Sequence, residues 1–181
     1  FELAGADPVS IHLNRLTADP TIVDDFDLIG LPGGFSYGDA VAAGRIAAQV
    51  MRSGLYDAFC RALERGVPMI APCNGFQIAV QIGLLPGPRD EEPVSDRPPV
   101  PTVALADNES ARFIDRWVGI EVPSDTRCIW TRGLDMSPET AVLPIAHGEG
   151  RFIASPEQLG ELERMQCVAV RYLASDNPNG S

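Results

Sequence analysis

Strand, turn, helix, strand, turn, helix: the first half of this chain reads as an α/β fold, an open, mostly parallel sheet flanked by helices, with antiparallel strands added at its edge. Three observations predict it. Two short apolar runs, at 26–31 and 67–71, each end in a sharp turn signal. Helix-periodic segments lie between and after them with short links, as in βαβ units. From about residue 101 the pattern changes to alternation, the mark of half-buried antiparallel strands.

Val9-Ser10-Ile11-His12-Leu13 alternates and reads as a half-buried strand, with His12 on the surface. Phe26 to Leu31 reads as a buried strand closed by Pro32-Gly33-Gly34. Residues 38–52 are rich in alanine and carry apolar residues at helical spacing. In 55–65, Leu55, Phe59, Ala62 and Leu63 fall at i, i+4, i+7 and i+8, which predicts a helix ending at Gly66. Val67 to Ala71 is the next buried strand, followed by a helix over about 75–82 that Gly83 ends. Six of the sixteen residues from Pro86 to Pro101 are proline, so this stretch reads as an exposed, extended connector. Residues 102–105, 113–122 and 142–145 read as antiparallel strands. Ser155-Pro156-Glu157-Gln158 carries a capping box and starts a helix to about Met165, with a strand over 166–173 after it. No repeat and no second domain is visible, so residues 1–181 read as one domain. The opening at Phe1 and the closing Asn177-Pro178-Asn179-Gly180 turn suggest that its first and last elements lie outside these residues.

Composition narrows the chemistry. The chain has 181 residues, 45% hydrophobic and 22% charged, which suits one globular domain with its own core. Its net charge is −11, and all 14 basic residues are arginine. An acidic chain is a poor binder of nucleic acid. The lack of lysine excludes a P-loop lysine or a Schiff-base lysine within these residues. The cysteines at 60, 73, 128 and 167 form no C-x-x-C pair, and the only histidines are His12 and His147. Neither a metal site nor a disulfide framework is therefore expected. Cys60 and Cys167 fall in apolar stretches and read as small core residues. No signal peptide and no run of about 18 apolar residues is present, so the expectation is a cytoplasmic protein without a membrane span.

Cys73 is the candidate nucleophile. It ends the apolar run 67–72, and Gly75 lets a helix begin just after it, which is how a nucleophile elbow reads. Thiolates attack carbonyl carbon, and a helix N-terminus favours the thiolate. The N–H of Asn74 can face the developing oxyanion, and the turn Gly33-Gly34-Phe35 can bring a second N–H close, since glycine leaves room for the backbone. Both turns sit at the carboxyl ends of strands, where parallel sheets bind their ligands.

Four segments carry a resemblance: Leu31-Pro-Gly-Gly-Phe-Ser-Tyr-Gly-Asp39, Pro72-Cys-Asn-Gly-Phe-Gln-Ile78, Gly83-Leu-Leu-Pro-Gly87 and Pro144-Ile-Ala-His-Gly-Glu-Gly-Arg-Phe152. Together with Asp107–Phe113 and Asn177–Ser181, in the same order, they resemble the glutaminase subunit or domain of phosphoribosylformylglycinamidine synthase, a class I glutamine amidotransferase. The resemblance implies a flavodoxin-like sheet of the amidotransferase kind. It implies that Cys73 attacks the side-chain amide of glutamine, forms a glutamyl thioester and releases ammonia to an ATP-dependent synthetase of purine biosynthesis. Gln77 and the Gly33, Gly34 and Phe35 backbone would help hold glutamine and its oxyanion. No cofactor is expected in this domain; ATP and Mg would serve the partner synthetase, which is a separate subunit or a fused domain, with a small third subunit as a further partner. The family's histidine and glutamate follow the Asn-Gly-Ser turn in a His-Pro-Glu motif, so the resemblance puts them beyond Ser181.

The chain departs from the family pattern at Ala71-Pro72, before the cysteine, and at Ala40-Val41-Ala42, where an arginine is usual. His147-Gly148-Glu149 repeats the His-x-Glu spacing of a catalytic pair, but the resemblance puts it in a motif outside the triad. That motif lines the cleft or the synthetase interface, or else His147 organises the turns at Gly148 and Gly150. Two other readings stay open: an inactive scaffold that docks the synthetase, and another cysteine-elbow α/β protein.

Overall fold

The computed structural model describes residues 1–87, 97–137 and 139–180. The middle of the proline-rich connector lies outside the described residues. The chain forms two compact units, Phe1–Ile78 with Pro93–Pro99 and Ala79–Glu92 with Val100–Ser181. Helices and several small sheets make it an α/β protein. Among the described residues no helix is long and apolar enough to cross a membrane.

In the first unit, α1 (Leu13–Ala18) replaces the strand expected over 9–13. His12 is the reason: its Nδ1 accepts the Asn14 N–H at 3.2 Å, so the residue caps a helix instead of extending a strand. A 3-10 segment, Pro20–Asp25, leads to β1 (Ile29–Gly30). Helices α2 (Arg45–Gly54) and α3 (Tyr56–Glu64) follow almost without a break. Leu55, at 1% exposure, ends one and begins the other. Of the spaced set, Leu55, Phe59 and Ala62 are buried while Leu63 is exposed; Tyr56 and Cys60 complete the buried face, and full burial of a side chain such as Phe59 stabilises by about 1.5–3 kcal/mol. Arg61 of α3 and Arg65, its C-cap, both pair with Asp24. Gly66, at φ 79°, closes the helix: it donates to Leu63 O at 2.9 Å and Val67 donates to Ala62 O at 3.0 Å, the Schellman pattern. The chain then enters β2 (Met69–Ile70), which pairs in parallel with β1, Ile29 opposite Met69. Both strands are shorter than their apolar runs, and α4 (Asn74–Ile82) starts where a turn follows β2.

The second unit is built on antiparallel ladders. β3 (Ala104–Ala106) pairs with β6 (Arg151–Ile153), a strand with no clear pattern of its own. β4 (Ile114–Glu121) lies between β5 (Val142–His147) and β7 (Arg171–Tyr172). Alternation puts Val118 and Ile120 inward, where they meet Ile145, Ile114, Met136 and Tyr172. Helix α5 (Pro156–Arg164) starts with the expected capping box: Gln158 N donates to Ser155 Oγ at 3.2 Å and Ser155 N to Gln158 Oε1 at 3.0 Å.

The strand expected from 166 begins only at Arg171. Gln166 takes a left-handed conformation, φ 59°, and Cys167 N donates to Leu162 O, so both residues close α5. Cys167 is accordingly exposed, not a core residue, whereas Cys60 is buried.

Candidate active site

β2 delivers the chain to Cys73 at the point where α4 begins. The Cys73 carbonyl accepts the N–H groups of Phe76 and Gln77 at 2.9 and 3.2 Å, which places this residue at the helix cap. Its φ is 54°, a left-handed conformation that costs a residue with a Cβ roughly 1–3 kcal/mol and persists only where the surroundings enforce it. Here the enforcement is visible. Gly75 N donates back to Pro72 O at 2.9 Å, closing the turn. A Cβ on Gly75 would overlap the carbonyl oxygen of Leu31. Glycine therefore does more than start the helix: it lets α4 sit directly on the end of β1. The thiol left at the bend is free and exposed.

The turn after β1 faces this bend. A Cβ on Gly33 would lie 3.2 Å from Cys73 Cβ and 3.8 Å from its Sγ, so the Gly33 backbone runs against the thiol side chain. Gly34 has φ 121°, and Phe35 follows with its ring exposed. The N–H groups of Gly34, Phe35 and Asn74 make no hydrogen bond among the described residues.

Asn74 ties the two turns together. It is 2% exposed, and its Oδ1 accepts the Ser36 hydroxyl at 2.7 Å and the Ser36 N–H at 3.3 Å. Its Nδ2 donates to Gln77 Oε1 at 2.9 Å. The side chain of Asn74 is thus a clamp, and Gln77 is oriented by it. Beyond Ser36 the chain is strained, with Tyr37, Gly38 and Asp39 all at positive φ. The Asp39 carboxylate holds this stretch by accepting Gly44 N–H at 3.1 Å. Gly44 lies where a Cβ would be 2.8 Å from Ile78 Cγ1. Ser36 and Asp39 lie in the singled-out 31–39 segment, but their bonds to Asn74 and Gly44 were not read from sequence, and Gly44 lies outside that segment. The Asp-x4-Gly spacing is a weak signal, and the Ser36–Asn74 bond spans 38 residues and has no local signature.

Beside these turns a cavity of about 180 Å³ is lined by Phe1, Gly30, Leu31, Pro32, Ile70 and Pro72. The lining is apolar and offers a polar substrate no partner.

His147 and Glu149 belong to the second unit. Asn108, 2% exposed, gives both hydrogens of its Nδ2 to carbonyls, Arg112 O at 2.8 Å and His147 O at 2.7 Å. Its Oδ1 therefore faces His147 Nδ1 at 2.8 Å as an acceptor, and also takes Asn179 Nδ2 at 3.3 Å. The proton of the imidazole sits on Nδ1. Burial holds the His147 pKa below the ordinary histidine value. Its Nε2 is buried without a partner among the described residues. A Cβ on Gly150 would overlap the imidazole ring, so the histidine packs onto the turn that follows it. Asn179, 3% exposed, joins the same network by accepting Glu109 N–H at 3.0 Å. Among the described residues no cluster of three His, Cys, Asp or Glu side chains could hold a metal.

An exposed thiol at a strained strand-to-helix bend, backed by a glycine turn, makes a cysteine elbow in an α/β protein. A family model, the CobB/CobQ-like glutamine amidotransferase domain, matches residues 1–181, and the chain belongs to that family. It is 38% identical over 181 residues to the phosphoribosylformylglycinamidine synthase subunit PurQ of Dehalococcoides mccartyi, covering all of this chain and 65% of that protein. It is 35% identical to the same subunit of Treponema denticola, covering 100% of this chain and 72% of that one. A solved structure, PurLQS from Thermotoga maritima, superposes with a TM-score of 0.57 at 34% identity, over 87% of this chain and 60% of that chain. The chain thus spans 65% of the first of these curated relatives.

Proposed function

We propose that this chain is the glutaminase component of a phosphoribosylformylglycinamidine synthase. The carrying observation is Cys73 itself, exposed at φ 54° with Gly33 against its side chain. The sulfur attacks the carboxamide carbon of glutamine, and the oxygen takes the negative charge. The unpaired N–H groups of Asn74 and of the Gly34–Phe35 turn receive that oxyanion. The C–N bond then breaks, nitrogen leaves as ammonia with a proton from a general acid, and a glutamyl thioester remains. Water hydrolyses the thioester to glutamate and frees the thiol. Gln77, held by Asn74, helps to position the substrate. The proton carrier is the His-Pro-Glu motif that the resemblance puts beyond Ser181. His147, bonded to Asn108 and packed on Gly150, organises the turns at Gly148 and Gly150.

The ammonia passes to an ATP- and Mg-dependent synthetase, and this domain needs no cofactor of its own. The names of the relatives support both the activity and the partner. The parallel β1–β2 pair supports a larger reading of the fold: one amidotransferase domain on an open, mostly parallel sheet. A role in purine synthesis supports the reading of a cytoplasmic protein.

The test is ammonia release from glutamine by the full-length gene product, with and without its synthetase. Turnover that disappears in Cys73→Ala supports this function. Release that is equal in the variant refutes it and leaves the scaffold reading.

A further inference from the structure

The two faces of β4 differ. Val118 and Ile120 point into the core of the second unit. By period-two alternation the other face carries Phe113, Asp115, Trp117 and Gly119. The register sets Ala146 opposite Asp115 and Pro144 opposite Trp117. Leu173 continues the row, since its Cδ1 lies 2.7 Å from where a Cβ on Gly119 would be. Gly119 is buried under Leu173, but the rest of the row is open to solvent: Trp117 is 66% exposed, Phe113 57% and Leu173 39%, and Asp115, Pro144 and Ala146 are exposed with them. Single exposed apolar side chains are ordinary, but a contiguous row with a tryptophan in it marks an interaction surface.

Charge narrows what covers it. Asp115 is exposed between Phe113 and Trp117 and has no hydrogen-bond or ion-pair partner among the described residues. The chain carries −11 and no lysine. A second copy would add the same excess charge, and an anionic membrane would repel both the carboxylate and the chain. An apolar surface that carries an arginine or lysine satisfies the stripe and the carboxylate together. We infer that the outer face of β4 and β5 docks a non-identical protein partner through Trp117, with a partner cation on Asp115. On the function proposed above, from which the partner's identity is taken, that partner is the synthetase.

The experiment measures binding of the full-length gene product to its purified synthetase by sedimentation, for wild type, Trp117→Ser and Asp115→Lys. Both substitutions sit on an exposed face outside the nucleophile site, so thermal stability and glutaminase activity without partner stay unchanged. Each variant is expected to weaken binding about tenfold or more. Oxidative footprinting read at the peptide that contains Trp117 is expected to modify it in the free protein and not in the complex. Unchanged affinity in both variants overturns the docking face. So does a Trp117 already shielded in the free protein, or a homodimer that Trp117→Ser dissociates while synthetase binding is kept. Wild type that releases ammonia and binds the synthetase while the variants bind equally well overturns this face alone. Wild type that binds no synthetase overturns the function as well.

Discussion

Asn74 Oδ1 accepts the Ser36 hydroxyl at 2.7 Å, so the first residue of α4 holds the turn that faces Cys73. The two turns cannot separate without leaving a buried amide unpaired. Asn74→Ala removes this clamp and the bond to Gln77. It is expected to cost about 1–3 kcal/mol of stability. It should also lower kcat/KM for glutamine by on the order of 100-fold, because a displaced donor or nucleophile is that costly. Ser36→Ala, which leaves the Ser36 N–H bond in place, should cost about 1 kcal/mol and a smaller share of activity. Denaturant unfolding and steady-state kinetics check both. Equal effects of the two substitutions would contradict the clamp.

Gly75 and Gly33 separate stability from chemistry. A Cβ at Gly75 would overlap the Leu31 carbonyl, which is backbone and cannot give way. Gly75→Ala should therefore destabilise by about 3 kcal/mol or prevent folding. A Cβ at Gly33 would press at 3.2 Å on Cys73 Cβ, so the bend itself must give by a few tenths of an ångström, far less than the overlap at Gly75. Gly33→Ala should keep most of the stability and lose most of the glutaminase rate. Thermal melts beside ammonia release distinguish the two positions.

The His147 network gives a pH signature. Burial lowers the pKa of this histidine below the ordinary value of about 6.5. The unfolded chain then binds the extra proton first as pH falls. The stabilising contribution is complete above about pH 6.5 and is lost as pH drops through the lowered folded pKa. Asp176 acts in a lower window. Gly119 N–H and Arg116 hold its carboxylate below the ordinary value, so its contribution is lost in more acid solution. Denaturant unfolding of wild type and His147→Gln between pH 5 and 8 is the check. The slope should be reduced in the variant, and an identical slope would contradict the assignment.

Ser155→Ala should cost about 1 kcal/mol, since it removes one half of a capping box that is intact on both sides. Urea unfolding at neutral pH measures it.

The features legible in the sequence were those set by nearby residues. The helix at 56–64, the capping box at Ser155 and the elbow at Cys73 each rest on a pattern fewer than about a dozen residues long. The parallel pairing of 29–30 with 69–70 followed from two apolar runs with helical segments between them. What failed was decided elsewhere. Val9–Leu13 alternates like a strand, yet His12 caps a helix. Gln166 lies in a strand-like run, but closing α5 required its left-handed backbone. Asn108, Asn179 and the Ser36–Asn74 bond were invisible because each joins residues 38 to 71 positions apart. Of the proposed site, the bend at Cys73 and the glycine turn beside it could be read; the side chains that hold them in register could not.

The most direct measurement is mass spectrometry of the full-length protein quenched during turnover with glutamine. A glutamyl thioester on the peptide containing Cys73, absent from Cys73→Ala and released by hydroxylamine, is the expected result. Steady ammonia release with Cys73 unmodified, or with the adduct on another cysteine, would contradict the account.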